Sequence, residues 1–228
     1  MTDKKKKMYF VRFTTGQIIQ HILWGLSFIV LALTGLAHKY PGGEFAAFVL
    51  CTFGGAEGRE LAHRIAAFVW AATGFYHIIY YSLLYYGEKK MKLGKKDWHD
   101  FKKDWAYLFG KSEEEPLFDR FSWSEKFEYW ASWVGLFVMT VTGLLMYFAF
   151  PALKFIPYAV IDWARIIHGW EAILAVAVII EFHLYMTIFR PKVFPMARQW
   201  LTGTMTLEEM KEEHPLEIEE MLRKGGNS

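Results

Sequence analysis

The sequence has almost no cysteine. Cys51 stands alone among 228 residues, which excludes an intramolecular disulfide, a Cys-ligated iron–sulfur cluster and a Cys-rich structural zinc site within this chain. No C-x-x-C-H occurs, so covalently attached c-type haem is excluded as well. Cys51 itself is expected to be an inert residue of an outer loop. Charge is the second scarcity, and it is local. The stretches at about 17–38, 60–86, 127–150 and 167–189 are interrupted mainly by Glu60, Arg64, Glu128, Glu171 and Glu181, mostly near an end. A hydrocarbon core about 30 Å thick needs roughly 20 apolar residues of helix. The pattern therefore predicts an all-α integral membrane protein, a bundle of four spanning helices. An open sheet is excluded, because lipid cannot satisfy its edge groups. The first span lacks a convincing small-x-small cleavage site in LALTGLAHKYPGG and is expected to be retained.

The charges that are present have a direction. MTDKKKKMYFVR is basic, and the segment from Lys89 to Lys126 carries ten Lys or Arg. Arg190, Lys192 and Arg198 follow the fourth span, whereas 39–59 contributes only Lys39 and Arg59, and 151–166 only Lys154 and Arg165. The positive-inside rule places both termini and the long middle loop in the cytoplasm. A net charge of +2 conceals this asymmetry, and nothing in it points to nucleic acid.

Within RIIHGWEAILAVAVIIEFHLY, His168, Glu181 and His183 interrupt an apolar run. Of the eight histidines, His99 and His214 fall in polar segments and are expected to be solvated; His38, at the outer end of the first span, is expected at the surface. Five remain. His63 and His168 each begin a span at the outer face, with His77 and His183 fourteen and fifteen residues below them. At 1.5 Å and 100° per residue these separations are about 21 and 22 Å, within about 60° of one helix face. His21, entering from the cytoplasm, reaches the depth of His77 and His183. Two histidines thus share an outer layer and three an inner one. Imidazoles are axial ligands of haem iron, and two layers accommodate two haem b. Zinc is the weaker alternative, because a compact site needs ligands at one depth.

The first span contains LALTGLAH and the third MTVTGLLM, a Thr-Gly pair in each outer half. Glycine there admits a flat macrocycle or serves helix packing. Arg59, Arg64 and Arg165 flank the outer layer, where they snorkel or meet haem propionates.

QHILWGLSFIVLALTG, LAHRIAAFVWAATGFYH, EKFEYWASWVGLFVMTVTGLLMYF and IHGWEAILAVAVIIEFHLY resemble the cytochrome b subunits of membrane-bound formate dehydrogenases and nickel–iron hydrogenases, and their relatives attached to multihaem cytochromes. The likeness runs from about Arg12 to Gly203. It implies that His63 and His168 hold the outer haem and that His21 and His183 hold the inner one. His77 departs from that pattern. With His63 it also matches the two-plus-two arrangement of cytochrome b in quinol–cytochrome c oxidoreductases, so that either His21 or His77 is the inner ligand. The other is then spare, at a quinone site or serving a third haem. The resemblance further implies a quinone site beside the inner haem, with Glu181, Tyr185, Glu128 and Arg190 as contributors. An intramembrane carboxylate there is a proton relay or a structural partner.

Two polar segments complete the reading. In KKDWHDFKKDWAYLFG, Trp98, Phe101, Trp105 and Leu108 recur at helical spacing opposite lysines, which predicts a cytoplasmic helix lying in the membrane interface. Residues 1–203 are expected to form the haem-binding domain and 204–228 an acidic helical tail, opened by a capping box at Thr206 and Glu209 and broken at Pro215. The function expected is electron transfer between quinone or quinol and a catalytic or multihaem cytochrome subunit at the outer face. A redox-silent membrane anchor and a proton-relaying transporter are the alternatives. Whether the chain counts as an enzyme is left open, because it carries no large extramembrane catalytic domain.

Overall fold

A computed structural model describes residues 8–80 and 91–225. Strand β1 (Tyr9–Val11) is followed by helices α1 (Thr15–Lys39), α2 (Glu44–Phe53), α3 (Gly55–His77), α4 (Lys95–Leu108), α5 (Trp123–Tyr147), α6 (Ala149–Ala152) and α7 (Tyr158–Val178). The last of these continues into two π-helical turns, Ile179–His183 and Tyr185–Phe189. Then come α8 (Gln199–Thr202), strand β2 (Thr204–Thr206), α9 (Leu207–Glu213) and α10 (Pro215–Gly225). The fold is all-α apart from the β1–β2 ribbon, which the sequence reading did not anticipate.

Three helices among the described residues are long and apolar enough to cross a membrane: Thr15–Lys39, Trp123–Tyr147 and Tyr158–Phe189. The last starts nine residues before the expected boundary, so the loop expected at 151–166 is largely helical. The expected outer loop at 39–59 likewise holds α2, on which Cys51 is exposed. The second expected span, 60–86, corresponds to α3, which has Glu57, Arg59, Glu60 and Arg64 in its first half. Its final residues lie outside the described ones.

The chain divides into two compact units. One comprises residues 19–80 and 132–185 of the described chain. Its surface is apolar, with Ile29, Phe68, Val134, Phe137, Leu174 and Ile180 exposed. Most of the buried positions are small or hydroxylated, among them Ser27, Thr34, Ala37, Ala66, Thr142 and Ala164. That inversion is expected where lipid is the solvent, because lipid gives apolar side chains no reason to leave the surface, and close backbone approach is left to small residues. Gly74 is an instance, since Leu136, 1% exposed, packs directly over its Cα.

The other unit comprises residues 8–18, 91–131 and 186–225, and charge organises it. The β1–β2 ribbon is antiparallel, with Phe10 opposite Met205. Met205, Met210 and Ile218 form its apolar core with Phe10 and Leu207 around them. Beside the ribbon, Arg12 is buried and donates to Glu217 Oε2 at 2.5 Å and to the Arg120 carbonyl at 2.5 Å. Arg120 donates to Glu217 Oε1 at 3.1 Å and to the Arg12 carbonyl at 2.9 Å. Gly203 closes the ribbon in the left-handed region (φ 72°), accepting bonds from the Arg12 and Phe13 amides. A Cβ there would lie 2.6 Å from the Phe13 carbonyl oxygen, so glycine is required.

His214 corrects the sequence reading. It was expected to be solvated, and it is buried, with Nδ1 2.7 Å from the Asp119 carbonyl oxygen and Nε2 3.1 Å from the Arg12 guanidinium. The reason is tertiary: the ribbon folds the residues after 204 back onto 8–18 and 118–122, so they are part of this unit. The capping box forms as expected, Glu209 N bonding Thr206 Oγ1 and Thr206 N bonding Glu209 Oε2. The break at Pro215 separates α9 from α10.

Helix α4 is amphipathic in an unexpected sense. Its buried face is a stripe of aspartates, Asp97, Asp100 and Asp104. Asp97 accepts from Lys126 Nζ at 2.7 Å, Asp100 from Lys96 Nζ at 2.5 Å and Asp104 from Trp123 Nε1 at 2.9 Å. Trp98, Trp105 and Leu108 are exposed, and stacking links Trp98 to Phe101 and Trp105 to Phe109. The lysines are not wholly opposite these rings, since Lys102 Nζ lies 5.1 Å from the Trp98 ring centroid.

Adjacent residues at the end of α9 set opposing pH dependences. Burial, reinforced by Glu125, holds the Glu213 carboxyl up at about 7. Burial, then the charge of Arg12, pushes the His214 imidazole down. Glu213 binds its proton more tightly in the folded chain, so its contribution is complete below its ordinary value of 4.5 and is lost as pH rises through about 7. The His214 contribution is lost as pH falls below its ordinary value of 6.5. Thermal unfolding in detergent should therefore show a midpoint that changes little between about pH 5.5 and 6.5, where the two oppose each other, and falls between about pH 6.5 and 8. Glu213→Gln should remove that alkaline fall and leave the acid-side loss intact.

Candidate functional site

The five histidines singled out from sequence all belong to the apolar unit, and each meets a partner side chain. His63, on α3, has Nδ1 2.8 Å from Thr34 Oγ1 of α1. His168, on α7, has Nδ1 2.8 Å from Thr142 Oγ1 of α5. A Cβ on Gly35 would lie 3.5 Å from His63 Cε1, and a Cβ on Gly143 would lie 3.5 Å from His168 Cε1. The same device is therefore built twice: a Thr-Gly pair on one helix receives the histidine ring of the next. Sequence reading noticed both pairs and gave the active part to glycine. The structure makes threonine the contact to the ring, with glycine the flat surface beside it.

His63 and His168 lie within electrostatic reach of each other, and Arg59 and His38 also bear on His63. Arg59 Nη1 donates to the Thr34 carbonyl at 3.2 Å, tying α3 to α1 beside His63. The other two arginines expected at this level already have acidic neighbours. Arg64 pairs with Glu60 and lies 5.1 Å from the Tyr147 ring centroid, and Arg165 Nη1 lies 3.2 Å from Asp162 Oδ1. A cation that sequence reading passed over is Lys39. Its Nζ sits 5.0 Å from the Trp170 ring centroid and 2.9 Å from where a Gly169 Cβ would stand, beside His168.

At the second level, the His21 and His183 ring centroids are 6.2 Å apart, with planes tilted by 37°. His77 Nδ1 is 3.0 Å from Gln20 Oε1, so His77 and His183 meet adjacent residues of α1. Gln20 was missed in the sequence, although it directly precedes a candidate ligand. Between the levels, Trp24 of α1 stacks on Trp70 of α3 at 5.6 Å.

The π-helical turn at Ile179–His183 matters to this geometry. A regular helix would carry His183 about 60° round from His168. The wider turn rotates less per residue, which brings His183 back toward the face of His168. Glu181 and Tyr185 lie in the two π-helical turns and are exposed. Glu128 and Arg190 belong to the charged unit, where Arg190 donates to Glu115 Oε1 at 2.8 Å.

The donor set fits haem. Metal–imidazole bonds of about 2 Å on either side of one ion, with the ring radii added, separate two centroids by about 6 Å; His21 and His183 have that spacing. Among the described residues this set offers imidazole nitrogens and no thiolate. These features define an integral-membrane b-type cytochrome.

Comparison with known proteins agrees. Residues 12–196 match the family described as prokaryotic cytochrome b561, and the chain belongs to that family. It is 25% identical over 223 residues to the cytochrome b556(fdo) subunit of formate dehydrogenase from Escherichia coli strain K12, covering 92% of each chain. The proteins of the same name from Escherichia coli O6:H1 and O157:H7 match equally. The protein is a multi-pass membrane electron-transfer subunit of the haem b class.

Because a Cβ at Gly35 or Gly143 would make only ordinary contact with the ring, Gly35→Ala and Gly143→Ala should retain haem. Gly35→Leu and Gly143→Leu should lose it, as read by pyridine haemochrome content of the purified protein.

Proposed function

We propose that this chain is a dihaem subunit carrying electrons between the quinone pool and a redox partner at the outer face of a bacterial or archaeal cytoplasmic membrane. The observation carrying the proposal is the approach of the His21 and His183 rings, 6.2 Å between centroids, on a helix that also carries His168. α3 belongs to the second of four spans, and the Lys/Arg asymmetry supports both termini in the cytoplasm.

His63 and His168 hold the outer haem, and His21 and His183 the inner one. The 6.2 Å ring separation favours His21 over His77 for the inner position. His77, engaged by Gln20, is left for a quinone or for a third haem. Haem held by two imidazoles supplies one-electron transfer without an open coordination position. The chain's own residues fix the ring positions, exclude water with an apolar exterior, and space the levels about 22 Å apart along the helix. Lys39 and Arg59 supply positive charge at the outer level. Glu181 and Tyr185, on the widened turns beside His183, are the groups that exchange protons with quinone.

The partner is a catalytic or multihaem cytochrome subunit. The curated relatives, named as subunits of formate dehydrogenase, support the first of these. The exposed Trp98, Trp105 and Leu108 of α4 support its placement in the cytoplasmic membrane interface.

His63→Ala or His168→Ala should each remove one low-spin haem, measured by optical redox titration. His21→Ala should remove the other, whereas His77→Ala should keep both. Retention of both haems in His63→Ala rejects the outer assignment. Loss of the inner haem in His77→Ala alone reverses the inner one.

Glu181→Gln should slow quinone-coupled turnover while both haems stay bound and dithionite-reducible. A quinone analogue should shift the inner haem spectrum only. A shift confined to the outer haem places the quinone site at the wrong level.

A further inference from the structure

Thr34 and Thr142 each have one hydroxyl hydrogen, and its destination can be deduced. Thr34 Oγ1 is 2.6 Å from the Val30 carbonyl oxygen of its own helix, and Thr142 Oγ1 is 2.7 Å from that of Val138. Two oxygens at that separation need a hydrogen between them, and a carbonyl has none to give. The hydroxyl therefore donates to the carbonyl, the back-bond available to a threonine inside a helix. Only its lone pairs remain for the histidine nitrogen 2.8 Å away. The histidine must then be the donor.

We infer that Thr34 and Thr142 are positioning residues for the outer haem, each accepting Nδ1–H from its histidine and so fixing the tautomer in which Nε2 carries the free lone pair. The inference rests on the proposed ligation by His63 and His168. It assigns to each threonine the part that carboxylates and backbone carbonyls play behind other metal-bound histidines, orienting the ring and raising its basicity. A carboxylate would bring a full charge into the low-dielectric interior, whereas a hydroxyl already anchored to a carbonyl brings none. The helix supplies the rigidity, because the back-bond holds Oγ1 in one rotamer. Glycine next in sequence removes the side chain that would crowd the ring.

The test uses the purified full-length protein with both haems. Thr34→Val and Thr142→Val keep shape and remove the acceptor; Thr34→Ser and Thr142→Ser keep the hydroxyl. Loss of an acceptor from Nδ1–H leaves a less basic imidazole, which disfavours the ferric state. Each Val variant should therefore shift the outer haem's reduction equilibrium toward the ferrous form by about twofold to tenfold, the range one hydrogen bond spans. Its upper end is about 59 mV for one electron. The inner haem should not move, the low-spin ferric EPR signal of the outer haem should change, and the Ser variants should restore both. His63→Ala identifies which potential belongs to which haem.

Unchanged outer potential and EPR signal in both Val variants, with two haems bound, overturns the positioning role while leaving the ligation intact. Loss of the outer haem from the Val variants and its return in the Ser variants supports the role of the hydroxyl. Loss in both substitutions traces the effect to packing and overturns the inference. Two haems in His63→Ala overturns the underlying ligation instead.

Discussion

Hydrocarbon offers apolar side chains no refuge that the protein interior could better, and this constraint shapes the apolar unit. Helices that cannot be driven together by burying leucine must be held by close backbone approach and by polar groups that have nowhere else to go. Gly74 under Leu136 answers the first need. Arg59 on the Thr34 carbonyl, Gln20 on His77 and the two threonine–histidine contacts answer the second. Each of these polar contacts links two helices, and three of the four end on a histidine. The groups that join α1 to α3 and α5 to α7 are thus the groups around the proposed haem ligands. Stability and function rest on the same few atoms.

The charged unit solves a different problem. Several of its buried charges are compensated by opposite ones, Arg12 by Glu217 and Asp97 by Lys126, and the half-buried Glu115 meets both Arg190 and Lys192. Removing one partner of such a pair costs about 3–5 kcal/mol, because the other is stranded away from water. A network of this kind specifies one arrangement of β1, β2, α9 and α10 where the apolar core of Met205, Met210 and Ile218 is small.

Much of the apolar unit was legible in the sequence because its signals are local. Twenty apolar residues in a row identify a span without knowledge of its neighbours, and a histidine inside one is conspicuous. The two-layer arrangement followed from helical rise alone. What stayed hidden depends on pairing. The hydroxyls of Thr34 and Thr142 became histidine partners only when α3 met α1 and α7 met α5. Glutamine before His21 carried no mark of its contact with His77. His214 looked solvated because its surroundings are polar, and only the pairing of Phe10 with Met205 brings Arg12 onto it. The aspartate stripe of α4 went unread for a related reason: three acids on one face show no role until Lys126, Lys96 and Trp123 supply their donors.

The ribbon that joins β1 to β2 also has a meaning in time. Arg12 and Glu217 are 205 residues apart in sequence, and a ribosome adding about 5–20 residues each second needs roughly 10–40 s to make the second after the first. Throughout that interval every spanning helix emerges and can enter the bilayer, while Arg12 waits without its carboxylate and β1 without its strand partner. The ribbon therefore closes last.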